Sequence, residues 1–271
     1  MNIVNVITPD GPADILSRRL SAVFTIVQDE HWRLSRWLGY YRRQFREQDI
    51  YIVQHVTPNS SPPVAARFPN INLFPVYYGA SFDHDWLRKT VTLFQAILLQ
   101  SYNTVLFAEV DEFVIPDPDR YGSLKDYIAK TPGPVARCTG YDVVHVPAEE
   151  PPLNLEDESL LAQRRYWKPS PKYDKTLIAR EPVMYDTGFH RTYSHAAVKP
   201  DPHLFLVHTK YIDLDLMVRH NEAARQRNWS QTDVEAGHGI ESWKVDREQM
   251  LLDLPPREGL TEIPYKIQIQ V

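Results

Sequence analysis

Short apolar runs alternate with longer stretches of helical spacing through the first 115 residues. Ala22-Val23-Phe24-Thr25-Ile26-Val27 predicts a buried strand, ended by Gln28-Asp29-Glu30. Leu34, Trp37, Leu38, Tyr41 and Phe45 then recur at helical intervals with arginines on the other face, so a helix is expected from about residue 31 to 47. Ile50 to Val56 is a second strand, broken by the turn chemistry of Thr57-Pro58-Asn59-Ser60-Ser61-Pro62-Pro63. Ile71 to Val76 is a weaker strand, and Pro75, lacking an N–H for the ladder, marks an edge or a strand end. Ser81 is the expected N-cap of the next helix, with Asp83 and Asp85 in a first turn that favours negative charge. Trp86, Leu87, Val91, Phe94, Ile97 and Leu98 form its apolar face. Thr104 to Ala108 is a strand that runs into Glu109-Val110-Asp111-Glu112, followed by the apolar Phe113-Val114-Ile115 and Pro116. The order strand–helix–strand–strand–helix–strand is that of a parallel sheet with covering helices.

The rest of the chain is less regular. Ser123 to Lys130 predicts a short helix and Val135 to Val146 a strand or bent pair. Pro147 to Ser159 is acidic, proline-rich and without period, which reads as a surface loop. Tyr166 to Lys175 reads as irregular, Thr176 to Ala179 as a strand, and Gly188-Phe189-His190 with Ser194-His195 as irregular again. His203 to Lys210 is a strong strand with His208 at its exit; alternation would put Lys210 on the same side as His208. Asp213 is expected to cap a helix carrying Leu214, Met217 and Ala224 that ends near Trp229. The final 40 or so residues show little pattern beyond the alternating Lys266 to Val271.

Composition narrows the classes. A chain of 271 residues can bury a substantial core. Its 43% hydrophobic and 24% charged residues are ordinary for a soluble globular protein. A formal charge of -5 argues against a nucleic-acid partner. Cys138 is the single cysteine, so no internal disulfide or cysteine-based zinc site is expected, which favours a reducing compartment. The start, Met1 to Ile7, lacks a basic region and is interrupted by Thr8-Pro9-Asp10, so no signal peptide is expected. No apolar run reaches membrane-spanning length. A cytoplasmic location follows as the expectation, with peripheral membrane contact left open. Asn228-Trp229-Ser230 fits a glycosylation acceptor but reads as chance without a secretory signal. The 22 prolines against 10 glycines imply stiff connections, and 15 tyrosines and 6 tryptophans suit carbohydrate stacking and core packing equally.

The candidate chemistry centres on Glu109, Asp111 and Glu112. A buried strand ending in three carboxylates delivers acids to a sheet edge, where open α/β folds place ligands. Burying them without partners is costly, and a divalent cation held by oxygen ligands is one natural partner. Water or a lysine is the other. The cluster fits a metal-assisted clamp on a diphosphate; phosphatase-like chemistry is disfavoured because position 109 is Glu rather than a nucleophilic Asp. His208 adds an imidazole, and a histidine with a carboxylate suits Mn²⁺-like ions better than Ca²⁺. As a lone residue it reads equally as a strand-end histidine. His190, His195 and His203 are expected to be mostly structural or exposed. Asp29 and Glu30 could meet a base or ribose edge or simply favour the helix start. Arg88 and Lys89 could contact phosphate or lie on a solvated face. Asp174 is a candidate general base or a surface aspartate.

Phe107-Ala108-Glu109-Val110-Asp111-Glu112-Phe113-Val114, with Thr25-Ile26-Val27-Gln28-Asp29-Glu30 and Trp37-Leu38-x-Tyr40-Tyr41, resembles family-2-like glycosyltransferases. The branch it is most similar to carries an Asp-x-Asp-Glu-Phe signature and is related to the family 92 type. The resemblance covers about residues 20–210, with Lys168 to Arg180, Gly188-Phe189-His190 and His208-Thr209-Lys210 as its later motifs. It implies an α/β, GT-A-like single domain with a mostly parallel central sheet and helices on both faces. It also implies a nucleotide-sugar donor (a UDP-sugar first), a carbohydrate or glycolipid acceptor, inversion, and Mn²⁺ or Mg²⁺. By position, Asp111 would be the main metal ligand and His208 the late one. Glu109 would lie near the ribose, the metal or its water. Asp29, Glu30, Lys89 and Lys210 would fall on the donor side, and Asp174 then Glu112 are the candidate bases. The departures are Glu109, where the family has Asp, and Pro58-Asn59-Ser60, which lacks an Asp often found there. Domain bounds follow as an extension over 1–20, a catalytic domain over 21–230 and a tail over 231–271. The halves of the domain are nucleotide-binding (21–120) and acceptor-binding (121–230). A non-catalytic nucleotide-sugar or glycan-binding module on the same fold is the alternative, and a phosphotransfer or hydrolase protein on another α/β fold is the third reading.

Overall fold

A computed structural model describes residues 18–56, 68–77, 81–238 and 247–269. Most of the expected N-terminal extension and the whole Thr57–Pro63 turn lie outside the described residues. The apolar run at the start becomes β1 (Arg19–Val27), longer than its hydrophobic stretch because Arg19 pairs with Asp49 and with the Tyr102 hydroxyl. The helix α1 (His31–Gln44) follows, then β2 (Ile50–Val56), β3 (Asn72–Tyr77), α2 (His84–Leu98) and β4 (Tyr102–Phe107). All four strands are parallel, in the order β3, β2, β1, β4, with β3 at the outer edge as Pro75 requires. The chain winds from β1 outward to β3, and α2 returns it to the other side of β1. That reversal between β1 and β4 is the switch point at whose carboxyl edge ligands bind in open α/β sheets.

The second half continues the sheet in mixed directions. It comprises β5 (Glu112–Pro116), α3 (Leu124–Lys130), β6 (Val135–Val143), β7 (Tyr166–Pro169), β8 (Thr176–Ala179), β9 (Asp201–His208), α4 (Leu214–Arg225), α5 (Gln231–Glu235), α6 (Arg247–Asp253) and β10 (Thr261–Glu262). β8 lies antiparallel between β4 and β6, while β9 runs parallel to β6 and antiparallel to β5. The expected α/β class, a parallel central sheet with flanking helices, is thus what the chain forms.

Several local expectations change. The α2 cap is Asp83, which accepts from the Trp86 amide, because Phe82 is held in a bridge to Trp229 and Ser81 precedes it. On the buried face of α2, Gln95 replaces Ile97; its amide accepts from the Val183 N–H and donates to the Tyr185 hydroxyl, while Ile97 is exposed. Tyr166–Pro169 is a strand, not irregular chain, because Trp167 stacks on Tyr141 across the ladder with β6. The Pro147–Ser159 segment buries Leu153, and the Leu155 carbonyl accepts from Trp32 and Arg36 of α1. Lys266 to Ile269 is not a strand, although its alternation is real: Ile267 and Ile269 are buried in a core cluster that begins at Ala22. Among the described residues β5 has only β9 as ladder partner, and α1 serves its other edge. Tyr40 donates to the Val114 carbonyl and the Tyr41 hydroxyl accepts from the Val114 N–H.

Candidate functional site

The sheet register builds the site. Glu112 opposes His208 in the β5–β9 ladder and Asp142 opposes His208 in the β6–β9 ladder, so three ionisable residues share one row across three strands. His208 Nδ1 lies 2.6 Å from Asp142 Oδ1, and Nε2 lies 3.4 Å from Asp111 Oδ2. The imidazole stacks on Tyr173 at 3.8 Å between ring centres. Asp111 is held through its backbone, its carbonyl accepting from the Thr209 N–H and hydroxyl at 2.9 and 3.0 Å. Two oppositely fixed segments therefore hold Asp111 and His208 face to face.

Charge follows from that geometry. Burial opposes the imidazolium, but Asp111 and Asp142 outweigh it and raise the pKa of His208. Burial likewise opposes the Asp111 carboxylate, yet His208, with Arg33 and His220 behind it, holds its pKa well below the usual range. An imidazole anchored through Nδ1 by a carboxylate and offering Nε2 to an acid is the arrangement that supports histidine metal ligands. The 3.4 Å gap between carboxylate oxygen and imidazole nitrogen is also what two ligands of one divalent cation require, since bonds of about 2.1 Å at a right angle put donors about 3 Å apart. The pair fits a cation.

The other two acids meet a lysine. Lys175, fully buried, places Nζ 2.7 Å from Glu109 Oε2 and 2.6 Å from Glu112 Oε1. Burial opposes its charge, and the two glutamates more than compensate, raising its pKa above the ordinary lysine value. Glu112 is buried as completely, its Oε2 accepts from the Glu109 N–H, and burial raises its pKa against the pull of Lys175. It therefore acts as a structural counter-ion, not as a base open to substrate. Asp174 is also committed: Oδ1 accepts from the Gly140 N–H and its carbonyl accepts from Arg137, pinning the turn 171–173 to β6. Glu112 is buried against Lys175, and Asp174 uses one carboxylate oxygen within the fold. Glu109, with 37% of its side chain exposed against 20% for Asp111, is the acid of the cluster most open to solvent.

At the carboxyl end of β1 opens a cleft of about 450 Å³ lined by residues 28–33 together with Leu155, Leu216 and the α4 side chains Arg219, His220 and Ala223, and by Arg227. Asp29 adopts φ +52°, a left-handed conformation that aspartate tolerates better than most residues. Glu30 is ringed by basic side chains: His220 Nδ1 at 2.8 Å, Arg33 at 3.3 Å and Arg227 at 3.5 Å. Arg33 and His220 are also the groups whose charge reaches Asp111, which joins the cleft to the acid pair.

The structure thus brings Asp29, Glu30, Glu109, Asp111, Glu112 and His208 to one edge. It does not bring Lys89, which pairs with Asp85 at 2.6 Å on an exposed turn of α2. Nor does strand alternation govern Lys210: β9 ends at His208, and Lys210 lies in a turn over the Tyr211 ring. Residues that sequence reasoning missed are Asp142, Lys175, Tyr173, Arg33, His220 and Arg227. A usable signal existed for Asp142 and Lys175, each a charge set in or against an apolar strand. His190 and His203 have structural partners, the Lys172 carbonyl and Asp117.

No family model and no curated protein matches this chain. Among solved structures, the apo form of the WbbM bifunctional glycosyltransferase aligns at 16% identity and a TM-score of 0.26, covering 46% of this chain and 24% of that one. So slight an overlap decides neither fold nor function. No helix among the described residues is long and apolar enough to cross a membrane.

Proposed function

We propose that the protein is a metal-dependent glycosyltransferase of the GT-A kind. It would take a nucleotide-sugar, a UDP-sugar first, and pass the sugar with inversion to a carbohydrate or glycolipid acceptor. The observation that carries this reading is the facing pair of Asp111 and His208, anchored by Asp142 at the switch-point edge beside a basic cleft. The class itself comes from the resemblance of the Glu109-Val110-Asp111-Glu112-Phe113 stretch and its flanking motifs.

Asp111 and His208 would hold Mn²⁺ or Mg²⁺, with the imidazole favouring Mn²⁺. When bound, the cation supplies charge neutralisation for the departing nucleoside diphosphate. Arg33, His220 and Arg227 line the cleft with cationic donors suited to phosphate oxygens, and Glu30 holds them in place. Asp29 and Glu30, which line the same cleft, would then meet a ribose or base edge. Inversion needs a base within hydrogen-bond reach of the acceptor hydroxyl. With Glu112 and Asp174 committed, Glu109 is the carboxylate left to face that hydroxyl, and Lys175 on its Oε2 orients it. Calorimetry with nucleoside diphosphates and Mn²⁺ tests the reading. Binding of one of them by wild type, lost in Asp111→Asn, is the expected result; no binding, or equal binding by the variant, ends it.

One observation favours a second reading, a non-catalytic nucleotide-sugar or glycan-binding module. Both residues first expected as bases are used to hold the structure. Sugar transfer or donor hydrolysis by the purified protein, abolished by Asp111→Ala, would eliminate that alternative.

A further inference from the structure

A second constellation lies where the start of α2 meets the chain after α4. His84 opens α2, Asp233 lies in α5 and His238 follows it. His84 Nδ1 is 3.2 Å from Asp233 Oδ1, and His238 Nδ1 is 3.9 Å from the same oxygen. The two imidazole rings are 4.9 Å apart. Among the described residues this is the one trio of His, Cys, Asp or Glu side chains whose ligand atoms all fall within 4.8 Å of one another.

The simple alternative is a histidine–aspartate ion pair with a second histidine nearby. Three features favour a ligand. Asp233 is buried with both oxygens directed inward, Oδ2 accepting from the His84 backbone N–H at 3.0 Å. His84 Nδ1 is buried and, although close to Asp233 Oδ1, is off hydrogen-bond geometry. Two ring nitrogens then converge on one oxygen from different sides, which a single cation between them would satisfy at once. The spacing agrees: tetrahedral bonds of about 2.0–2.1 Å put ligand atoms about 3.3 Å apart, between the two separations found.

The frame is built as well. Phe82 and Trp229 form a parallel bridge, with the Phe82 N–H donating to Asn228 and the Ser230 N–H donating to Phe82. The Ser230 hydroxyl caps α5 by accepting from the Asp233 N–H, and the His238 N–H donates to the Asp233 carbonyl. Trp229 stacks against His84 at 5.7 Å and 23°. Each ligand is thereby held through its own backbone or ring, the support that metal ligands need.

We propose that His84, Asp233 and His238 form a binding site for a first-row divalent cation of the zinc type, distinct from the Asp111–His208 pair. Two imidazoles and one carboxylate select such ions over Ca²⁺ or Mg²⁺, and three protein ligands leave a coordination position for water or a substrate atom. The site stands on the flank of the acid cluster, close enough for the Glu109 charge to act on His84. An ion here ties the start of α2 to the segment that continues from Arg227, one wall of the cleft.

The test uses the full chain after treatment with a chelator. Zn²⁺ alone is titrated by calorimetry, and Co²⁺ is used for its visible absorption. Wild type and Asp111→Asn should each take up one tight Zn²⁺ and show the strong bands of low-coordinate Co²⁺. His238→Ala should lose those bands and bind Zn²⁺ at least roughly tenfold more weakly. His238 is partly exposed, so this variant is expected to keep its fold, checked by circular dichroism. His84→Gln gives a second reading of the same loss. No tight Zn²⁺ in wild type, equal binding by the histidine variants, or loss of the tight site in Asp111→Asn would each overturn the proposal. Because no nucleotide is involved, failure of the glycosyltransferase reading leaves this outcome untouched.

Discussion

At the scale of single residues, charge is placed where it must be paired. Lys175 and Glu112 are both fully buried 2.6 Å apart, and the Lys175 charge pulls against the burial that raises the Glu112 pKa. Lys175→Met leaves a buried carboxylate with no counter-ion, and a loss of about 3–5 kcal/mol is expected in urea unfolding. Adding Glu112→Gln should restore part of that loss, because the stranded charge goes with it. Glu30 makes a different prediction. Burial alone would raise its pKa, but His220, Arg33 and Arg227 prevail and bring it down to about 2 from an ordinary 4.5. A carboxyl whose folded pKa lies below its unfolded one stabilises the fold fully above the unfolded value and loses that contribution as pH falls through the folded one. Stability should therefore decline between about pH 4.5 and pH 2, by up to ~3 kcal/mol from this group. Glu30→Gln should be less stable near neutrality and flatter across that window in a series of melts by circular dichroism.

At the scale of elements, the site depends on how closely the 171–173 turn approaches β6. A Cβ at Gly140 would lie 2.5 Å from the Tyr173 carbonyl carbon and 2.6 Å from the Ser170 carbonyl oxygen, both backbone atoms that cannot swing aside. Gly140→Ala must push the turn outward. Tyr173 then leaves the His208 ring, and the Asp174 bond to the residue 140 N–H is broken or lengthened. Overpacking of this kind costs about 1–3 kcal/mol. If the proposed Asp111–His208 cation site holds, the variant should also bind Mn²⁺ more weakly by calorimetry while its far-ultraviolet circular dichroism stays unchanged. A variant with wild-type stability would show that β6 and the turn are not in contact as described.

At the scale of the whole molecule, Ile267 and Ile269 belong to the core although they lie far along the chain from the sheet they pack against. Ile269 is fully buried and its carbonyl accepts from the Leu160 N–H, so Ile269→Ala should cost about 2–5 kcal/mol in chemical unfolding. That role was hidden in the sequence, where the alternation around Ile267 and Ile269 suggested a strand. The parallel half was legible because each strand there is a short apolar run and each helix shows period-matched faces. His208 ends β9 as its place in the apolar run suggested, whereas Asp111, expected at the end of the preceding strand, lies in the turn just before β5. Asp142 and Lys175 stood out only as charges in or against apolar strands, because their partners lie some 60 residues away and come together only through the register of β6 with β9 and the position of Lys175 just before β8. Pro169 and the lysines around it concealed β7, whose stability comes from Trp167 packing on Tyr141. Gln95 outcompeted Ile97 for burial because its amide had two partners waiting in the loop before β9.

The path of the chain also sets a clock. Asp111 and Glu112 leave the ribosome with the parallel half, but Lys175 follows about 60 residues later and His208 nearly 100. At synthesis rates of about 5–20 residues per second, the acids wait about 3–12 s for their lysine and about 5–20 s for the histidine. β9, which carries His208, is also the strand that joins β5 to β6. The emerging chain therefore presents an open strand edge and an Asp111 without its histidine together, and the late insertion of β9 closes both.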